Sequence, residues 1–327
     1  MKAVIYEEYG LPEVLKLKEV AKPVAKDNEV LINVRATTVS AGDVNIRGFT
    51  FVPPGMKFVA RLMFGLRKPK KAILGTDFAG EIEAVGKDVS KFKVGDQVFG
   101  VDGNEMASYA EYKVMPEDGV LTHKPDNVSY EQAVASTFGG LTALYFLKEG
   151  NIQKGHRVLV NGASGCVGSA AVQLAKHFGA EVTGVCSGKN ADLVYSFGAD
   201  KVIDYTKEDF RKNGRVYDLI VDTVVGQTSF PRSKNSLTKQ GRYLAVAGGI
   251  PEMLHMLWAQ LFSSKKVIFG GGVACERQDY LQFLRERLES GEFKPVIDRC
   301  YPLKQMVDAH RYVDTGRKRG NVVIRVL

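Results

Sequence analysis

Residues 157–190 read RVLVNGASGCVGSAAVQLAKHFGAEVTGVCSGKN, and their order is typical of one β-α-β unit. The apolar run Val158-Leu159-Val160 predicts a strand that is buried on both faces. A glycine-rich turn follows, and apolar residues then recur at helical spacing until Gly179 ends the pattern. Residues 182–186 predict the second strand of the unit.

The turn of this unit has the composition of a phosphate-binding loop. Glycines at 162, 165 and 168 permit a tight turn, bare backbone for a pyrophosphate and close packing of helix on strand. The helix N-terminus adds free N–H groups and a positive dipole end. We therefore predict a dinucleotide site formed by Ala163, Ser164, Gly165, Cys166 and Val167. Ala163 replaces the first glycine of G-x-G-x-x-G, and the alternative is a tight turn without a ligand.

The end of the second predicted strand indicates which dinucleotide is bound. NAD enzymes place a carboxylate there for the ribose hydroxyls, whereas this chain has Ser187, Gly188, Lys189 and Asn190. A carboxylate would repel a 2′-phosphate and Lys189 would attract it. We therefore predict NADPH as the cofactor, held by Ser187, Lys189 and Asn190. The alternative is that Lys189 is a solvated surface lysine.

Composition and length narrow the class of protein. The 327 residues suggest about two domains, and 45% apolar with 25% charged residues is typical of a globular chain. No apolar run reaches the ~20 residues of a membrane helix, and no signal-peptide pattern opens the chain. The four cysteines are widely spaced, which predicts reduced thiols and a cytoplasmic location without a membrane partner.

The net charge of +8 favours anionic ligands such as NADPH and is compatible with nucleic acid. The densest basic cluster has no nucleic-acid motif around it and consists of Arg61, Arg67, Lys68, Lys70 and Lys71. A solvated loop is the favoured interpretation, so no nucleic-acid partner is predicted.

The chain changes period near residue 125. Before it, strands are predicted over 3–6, 30–39, 79–85 and 107–114, and residues 94–98 are predicted to be a turn into another strand. The segment 49–71 is predicted to be a loop or short helix that covers a site. A long helix is predicted from 129 to 147. Strands then alternate with helices, which predicts a parallel doubly wound sheet. The predicted strands are 157–161, 181–186, 201–205, 218–224, 242–247 and 266–270, and the helices 169–178, 189–197, 227–238 and 251–263. A helix at 279–290 and a strand at 321–326 complete the chain.

Several motifs in this order resemble the medium-chain dehydrogenase/reductases, in their zinc-free quinone oxidoreductase branch. The motifs are GDVNIRG at 42–48, GTDFAG at 75–80, GLTA at 140–143, NGASGCVG at 161–168, GADKVIDY at 198–205 and RGNVVI at 319–324. The resemblance implies an α/β fold in which a Rossmann NADP-binding domain, 124–295, is inserted into a β-rich GroES-like catalytic domain, 1–123 plus 296–327. It also implies an active-site cleft between the two domains and a homodimer.

The resemblance extends to individual site residues. It implies that the surroundings of the nicotinamide include Ser40, with Asn45 and Thr142 as the catalytic candidates. Tyr205 resembles the family tyrosine beside the adenosine 2′-phosphate. The residues after the fifth and sixth strands of the doubly wound sheet suit ribose and nicotinamide because bare backbone allows close approach; they are Gly248, Gly249, Gly271, Gly272 and Val273. Tight turns alone are the alternative for these glycines.

No metal is predicted for this chain. Zinc needs a cluster of thiolate or imidazole ligands, yet neither Cys nor His occurs before His123. The segment Gly75-Thr76-Asp77 resembles, by position, the Gly-His-Glu motif of the zinc-dependent relatives. Without a Lewis acid, oxidation of a simple alcohol is difficult, whereas a quinone or an activated C=C bond is already electrophilic and requires chiefly positioning against the cofactor.

We therefore expect an NADPH-dependent reductase of quinones or α,β-unsaturated carbonyls, with a non-catalytic NADPH-binding sensor or interaction protein as the alternative. Three smaller expectations accompany it. Tyr109 and Lys113 match Y-x-x-x-K by coincidence, since their segment is strand-like. Asp43 and Arg47 are expected to form an internal ion pair. Cys166 is expected to be a buried, inert thiol, the alternative being an oxidation-sensitive one.

Overall fold

A computed structural model describes residues 1–50, 52, 57–65, 68–224 and 226–326. The chain divides into two compact units, Met1–Phe138 with Glu276–Leu327 and Gly139–Cys275. The second unit is therefore inserted within the first. The predicted domain boundaries at 123/124 and 295/296 stay predictions.

The first unit begins with a β-rich stretch. Its elements in chain order are β1 (Lys2–Ile5), β2 (Lys16–Glu19), β3 (Glu29–Val39), α1 (Ala41–Gly48), α2 (Lys57–Phe64), β4 (Asp77–Val85), β5 (Gln97–Val101), β6 (Tyr112–Pro116) and β7 (Leu121–His123). β3 is the organising strand, because it pairs antiparallel with both β4 and β6. The predicted insertion at 49–71 contains α2, and its residues 51, 53–56 and 66–67 lie outside the described ranges.

One predicted strand in this unit is displaced. Residues 107–114 alternate like a strand, but β6 begins only at Tyr112. Met106 and Ala107 adopt the left-handed region, with φ of 58° and 64°, which interrupts an extended chain. The following backbone instead bonds the segment before β4, with the Tyr109 N–H donating to the Leu74 carbonyl at 3.0 Å.

The helix α3 (Tyr130–Glu149) leads to the second unit, whose sheet is entirely parallel. Its elements are β8 (Arg157–Asn161), α4 (Cys166–His177), β9 (Glu181–Cys186), α5 (Ala191–Ser196), β10 (Lys201–Asp204), β11 (Tyr217–Asp222), α6 (Phe230–Ser233), β12 (Leu237–Ala245), α7 (Ile250–Phe262) and β13 (Lys266–Phe269). The strand order is β10-β9-β8-β11-β12-β13. The chain therefore builds the sheet outward from β8 on one side and from β11 on the other, and the order switches between these two parallel strands. Such a switch point forms a crevice at the carboxyl ends of the strands.

The predicted helix at 227–238 is wrong for most of its length. Only α6 is helical, with Pro231 in its first turn where proline is tolerated. Leu237 already belongs to β12 and pairs with Tyr217. Leu237 is completely buried in the core of the second unit, so tertiary packing overrides the helical pattern.

The chain then returns to the first unit through α8 (Gln278–Glu289), β14 (Ile297–Pro302), α9 (Met306–Asp314) and β15 (Asn321–Arg325). β15 pairs parallel with β14 and antiparallel with β3. Val322, Val323 and Ile324 have no exposed surface, so the last strand completes the core that the first residues began. Within the described ranges, every helix is too short or too polar to cross a bilayer.

Candidate functional site

The turn between β8 and α4 is shaped by its glycines. Gly162 has a φ of 81°, a conformation that favours glycine. The N–H groups of Gly162 and Ala163 both donate to the Val185 carbonyl at 3.0 Å, which fixes the turn against β9. A Cβ atom at Gly168 would lie 2.1 Å from the Gly162 oxygen, so only glycine allows α4 to pack on this turn.

The N-terminus of α4 is left without a side-chain cap. Gly165 occupies the N-cap position and supplies no hydroxyl or carboxylate to the first turn, where N–H groups lack partners within the helix. A Cβ atom at Gly165 would approach only the Gly162 oxygen, at 3.4 Å, so the backbone is open on this side. Open backbone and uncapped N–H groups are what a pyrophosphate requires.

Cys166 begins α4 and is buried. A Cβ atom at Gly139 would lie 2.8 Å from the Cys166 sulfur, so Gly139 lets α3 approach the start of α4 closely. The sequence motif at 140–143 begins one residue too late to include this glycine. Thr142 lies half-buried on the same helix.

The structure brings Ser164 of the turn together with Asn190 after β9. The Asn190 amide donates to Ser164 Oγ at 3.1 Å. Asn190 is 8% exposed, and its Oδ1 has no hydrogen-bond partner among the described residues. A buried polar atom without a partner is costly. Because rotation of the amide by 180° exchanges its oxygen and nitrogen without changing its shape, this side chain can present either a donor or an acceptor to a ligand. The residues present therefore fit a dinucleotide.

Lys189 lies at an exposed tip. It is part of the 3-10 turn Gly188–Asn190 that follows β9, and its neighbour Ser187 is half-buried. Tyr205, 60% exposed, is held beside this tip because its N–H donates to the Cys186 carbonyl at 3.1 Å. Ser187, Lys189 and Tyr205 thus lie at the carboxyl ends of the neighbouring strands β9 and β10.

Asp204 is a carboxylate beside this tip that was not predicted from the sequence. It accepts hydrogen bonds from the Thr206 hydroxyl at 2.8 Å and the Thr206 N–H at 3.1 Å, and these bonds hold the pKa of the carboxyl below its usual range. A Cβ atom at Gly188 would lie 2.4 Å from Asp204 Oδ2. Asp204 therefore shapes the turn that carries Lys189.

A second carboxylate, Asp222, occupies the switch point at the end of β11. It accepts from the Asn161 amide at 2.9 Å and from the hydroxyls of Thr228 and Tyr243. Burial and this carboxylate raise the pKa of Tyr243 far above its usual range. The network ties the ends of β8, β11 and β12 together and so fixes the crevice. Sequence reasoning missed it because its members are far apart in the chain.

The glycines predicted to face ribose and nicotinamide follow the carboxyl ends of β12 and β13. Gly249 caps α7, and its N–H donates to Glu252 at 2.8 Å. A Cβ atom at Gly248 would lie 2.6 Å from the Glu252 side chain. Gly271 and Gly272 have φ of 116° and 61°. Tight turns therefore explain part of the need for glycine at these positions. Val273, which follows Gly272, is 48% exposed.

In the first unit, Asn45 lies on α1 and Ser40 immediately precedes this helix. Ser40 caps this helix: its hydroxyl accepts from the Asp43 N–H at 3.2 Å and donates to Asp43 Oδ2 at 2.6 Å. Asn45 is exposed, and its Oδ1 accepts from the Thr50 hydroxyl at 2.9 Å. The Asn45 amide N–H groups make no hydrogen bond to the described residues, so Asn45 can donate to a ligand, whereas the Ser40 hydroxyl is largely used by the cap.

The expected ion pair between Asp43 and Arg47 does not form. Arg47 is buried, and its guanidinium donates to Asp314 at 2.9 Å and to His310 Nδ1 at 3.2 Å. Because arginine only donates, His310 Nδ1 is the acceptor and Nε2 carries the proton toward the Tyr109 hydroxyl, 3.2 Å away. Burial and the adjacent Arg47 lower the pKa of His310 to about 3, so this imidazole is neutral.

Two buried carboxyls lie close to this network. Burial raises the pKa of Asp43, and hydrogen bonds from Ser40 and neighbouring groups oppose the shift. Asp77 has no exposed surface, and burial raises its pKa to about 7 although the Thr38 hydroxyl donates to it at 2.6 Å. By the resemblance, Asp77 takes the place of the glutamate in the Gly-His-Glu motif of the zinc-dependent relatives.

Tyr109 and Lys113 have separate structural roles, as expected of a coincidental match. Tyr109 bonds His310, whereas Lys113 donates to Asp102 at 3.2 Å and to the Met106 carbonyl at 2.7 Å. Among the residues that the structure covers, no group of three or more His, Cys, Asp or Glu side chains could hold a metal ion.

Comparison with known proteins identifies the class. Residues 26–126 match the alcohol dehydrogenase GroES-like domain, and residues 197–324 match a family described as zinc-binding dehydrogenase. The 2-methylene-furan-3-one reductase of Solanum lycopersicum is 33% identical, over 99% of this chain and 79% of its own length. The chloroplastic NADPH-dependent alkenal/one oxidoreductase of Arabidopsis thaliana is 30% identical over the same shares. The Coxiella burnetii quinone oxidoreductase structure superposes with a TM-score of 0.87 at 29% identity, covering 100% of this chain and 99% of that one.

The chain therefore belongs to the medium-chain dehydrogenase/reductases, in their quinone oxidoreductase-like branch. This confirms the resemblance, and the parallel sheet inserted into a GroES-like unit confirms the predicted fold class.

Proposed function

We propose that this chain is an NADPH-dependent oxidoreductase that reduces quinones or α,β-unsaturated carbonyls without a catalytic zinc. The observation that carries the proposal is the combination of an uncapped α4 N-terminus with a β9 tip that ends in Lys189 rather than a carboxylate. The first feature suits a pyrophosphate. The second favours the 2′-phosphate that distinguishes NADPH from NADH.

Each part of the cofactor has a proposed set of contacts. The turn Ala163–Val167 holds the pyrophosphate. Ser187, Lys189, Asn190 and Tyr205 surround the adenosine ribose and its 2′-phosphate. The backbone at Gly248–Gly249 and Gly271–Val273 lies against the nicotinamide ribose and the ring, and Ser40 adds a contact from the first unit. NADPH, when bound, supplies the hydride.

The proposed catalytic residues act on the acceptor. In such a reduction the hydride would add to the electrophilic carbon, negative charge would develop on the carbonyl oxygen, and a proton from water would complete the product, on oxygen for a quinone and on the α-carbon for an enone. Asn45 has amide N–H groups without partners among the described residues, and they can donate to that oxygen as its charge develops. Thr142 has a half-buried hydroxyl without a hydrogen bond in the described part of the chain, and we propose that it orients the acceptor.

Zinc independence rests on the side chains present. Zinc needs thiolate or imidazole ligands, and the segment that resembles Gly-His-Glu has Thr76 in place of the histidine. Its Asp77 is buried and accepts from Thr38. The ammonium of Lys113 donates to Asp102 at 3.2 Å, so this carboxylate already has a fixed cation beside it, which disfavours a second one.

The test is consumption of NADPH and, separately, NADH with 1,4-benzoquinone, 9,10-phenanthrenequinone, an enone and a simple aldehyde, each with and without EDTA. Turnover with NADPH and a quinone or enone, unchanged by EDTA, supports the proposal and identifies the acceptor class. Loss of activity with EDTA contradicts zinc independence. Tight NADPH binding without turnover of any acceptor would instead favour the sensor.

We further propose a cytoplasmic homodimer. Within the described residues, the four cysteines form no disulfide, which is typical of a reducing compartment. Sedimentation velocity tests the dimer, and fractionation of cells that express the untagged chain tests the location. A single sedimenting species with the mass of one chain would contradict the dimer.

A further inference from the structure

The helix α1, which carries Asn45, ends in a strained residue. Phe49 adopts the left-handed region, with φ of 53° and ψ of 37°, and this conformation is costly for a bulky side chain. A backbone of this kind persists only where the surrounding structure holds it, and it is common at sites that bind or react.

Two backbone hydrogen bonds explain why the chain needs this conformation. The Phe49 N–H donates to the Ile46 carbonyl at 3.1 Å, and the Thr50 N–H donates to the Asn45 carbonyl at 3.0 Å. This pair is the Schellman motif, in which a left-handed residue, usually glycine, turns the chain back over the last turn of a helix. The motif therefore returns Thr50 to Asn45, five residues earlier in the chain.

The ring of Phe49 holds this turn in place. Phe49 is 4% exposed, and the centroid of its ring lies 4.7 Å from that of Tyr9. The Arg61 guanidinium lies over both rings, 4.5 Å from the Tyr9 centroid and 4.7 Å from the Phe49 centroid. Stacking of a cation on aromatic rings is favourable. These contacts offset the backbone strain, so Thr50 is held where the motif puts it.

The side chain of Thr50 uses this position for a contact with Asn45. Its hydroxyl donates to Asn45 Oδ1 at 2.9 Å. Rotation by 180° exchanges the oxygen and nitrogen of an amide, so the hydrogen-bond partners decide which end faces a ligand. When the amide nitrogen donates to a ligand, the amide oxygen at the other end needs a donor, and the Thr50 hydroxyl supplies it. This bond strengthens when a bound ligand excludes water from it.

We propose that Thr50 is a positioning residue for the reduction, and that it keeps the amide nitrogen of Asn45, rather than its oxygen, directed at the acceptor. The inference rests on the proposed function, in which Asn45 donates to the oxygen of the acceptor. Donors that are oriented before the charge develops stabilise it most. Thr50 therefore contributes to the rate without touching the acceptor.

The experiment is a double-mutant cycle on the single-turnover rate of NADPH oxidation, which separates the chemical step from product release. The acceptor is 1,4-benzoquinone or an enone, whichever is reduced. Thr50→Val keeps the shape of the side chain and removes its hydroxyl. We expect it to lower this rate about five-fold, the effect of one hydrogen bond, without changing the Kd for NADPH. Thr50→Ser should retain the wild-type rate, because it keeps the hydroxyl.

The second half of the cycle distinguishes positioning from a general structural effect. In an Asn45→Ala background, Thr50→Val should cause no further loss, since the amide that Thr50 orients is absent. A purely structural role would lower the rate by the same factor in both backgrounds. Asn45 and Thr50 are both exposed, so the melting temperature should stay nearly the same in all of these variants.

Thr315→Val is the matched control. Thr315 is also an exposed threonine that directly follows a helix of the first unit, and its hydroxyl donates to the Tyr312 carbonyl at 2.7 Å. We expect this variant to react at the wild-type rate.

The possible failures are distinguishable. A wild-type rate in Asn45→Ala, or reduction of neither acceptor, would remove Asn45 from the proposed mechanism, and the role of Thr50 would fail with it. A reduced rate in Asn45→Ala together with a wild-type rate in Thr50→Val would leave the proposed function intact and overturn the positioning role. An equal loss from Thr50→Val in both backgrounds would overturn that role as well.

Discussion

Gly165 and Gly168 lie in the same turn, but an added methyl group meets different surroundings at each. At Gly168 it would lie 2.1 Å from the Gly162 oxygen, whereas at Gly165 its nearest neighbour is 3.4 Å away. We expect Gly168→Ala to lower the melting temperature by several degrees, because α4 must shift. We expect Gly165→Ala to fold normally but to bind NADPH at least about ten-fold more weakly, because the methyl group occupies the space of the pyrophosphate.

Calorimetry of unfolding and titration with NADPH measure the two effects separately, so each variant is the control of the other. Unchanged NADPH affinity in Gly165→Ala would mean that the pyrophosphate does not approach the turn. The pyrophosphate would then have to bind away from the N-terminus of α4.

Lys189 tests the choice of cofactor at a single side chain. We expect Lys189→Ala to raise the KM for NADPH about five-fold, the upper end of the effect of one charged contact at an exposed site. The KM for NADH should stay the same, because NADH lacks the 2′-phosphate. Lys201→Ala is the matched control, since Lys201 lies at the opposite end of β10 and pairs with Glu181.

An equal rise of both KM values in Lys189→Ala would contradict the assignment. Asp204 must be considered in interpreting the result, because its charge lies beside Gly188. A second variant, Asp204→Asn, should lower the KM for NADPH if repulsion by this carboxylate opposes Lys189.

At the scale of elements, one hydrogen-bonded network joins α9 to α1. Arg47 on α1 donates to His310 and Asp314 on α9. His310 in turn forms a hydrogen bond with the Tyr109 hydroxyl. The imidazole is neutral in the fold, whereas Asp77 in the same unit takes up a proton more readily than a free carboxyl does. These two groups therefore make the stability of the first unit depend on pH in opposite directions.

The signs follow from the bound protons. The folded pKa of His310 is about 3 against an ordinary 6.5, so between these values the unfolded chain binds more protons and stability falls on acidification. The folded pKa of Asp77 is about 7 against 3.8, so the folded chain binds more protons there and stability falls as pH rises. Between about pH 4 and 6.5 the two slopes, each about 1.4 kcal/mol per pH unit, oppose each other.

Removing one group should expose the slope of the other. Relative to the wild type, Asp77→Asn should become progressively less stable from pH 6.5 to pH 4.5. His310→Gln should become less stable from pH 4.5 to pH 6.5. Urea unfolding followed by circular dichroism measures both, and comparison with the wild type removes the contribution of Asp43, which is common to all three proteins. Parallel pH profiles of variant and wild type would contradict the assigned shifts.

The sequence predicted elements well where their own pattern determines them. β8 and β9 end where the apolar runs end. The pattern failed where distant residues decide the outcome: Leu237 belongs to a strand because it packs in the core, and Arg47 pairs with Asp314 rather than the nearby Asp43. His310 lies 263 residues from Arg47, so neither spacing nor composition could join them.

The candidate site divides in the same way. The turn at 162–168 and the tip at Lys189 are local features, and a sequence displays them directly. Asn190 was predicted from its place after β9, but its bond to Ser164 and its unpartnered oxygen depend on how β9 packs beside β8. The Asp222 network required the strand order of the whole sheet.

At the scale of the whole molecule, the first unit is built from both ends of the chain. β3 pairs with β15, although 282 residues of chain lie between Val39 and Val322. The residues that form the parallel sheet are part of this intervening chain. Folding of the first unit therefore requires the last strand, and long-range pairing of this kind slows folding. The second unit, by contrast, is one continuous segment.

The zinc content per chain is a property of the whole molecule. One matched family is described as zinc-binding, whereas the described residues contain no group of three potential ligands. We expect the chain expressed in zinc-supplemented medium and dialysed without chelator to contain far less than one zinc per chain by mass spectrometry.

Adding zinc should also leave the melting temperature unchanged, because an ion that binds the folded chain at a specific site would raise it with concentration. The added ion is tested at equal concentration on Asp77→Asn, which removes the buried carboxylate of the segment that resembles Gly-His-Glu. Stoichiometric zinc in the wild type, lost in Asp77→Asn and required for turnover, would contradict the proposed mechanism, since the carbonyl oxygen would then be polarised by a metal instead of by Asn45. Zinc bound equally by both proteins and without effect on turnover would place the ion away from the reaction and leave the proposed hydride transfer intact.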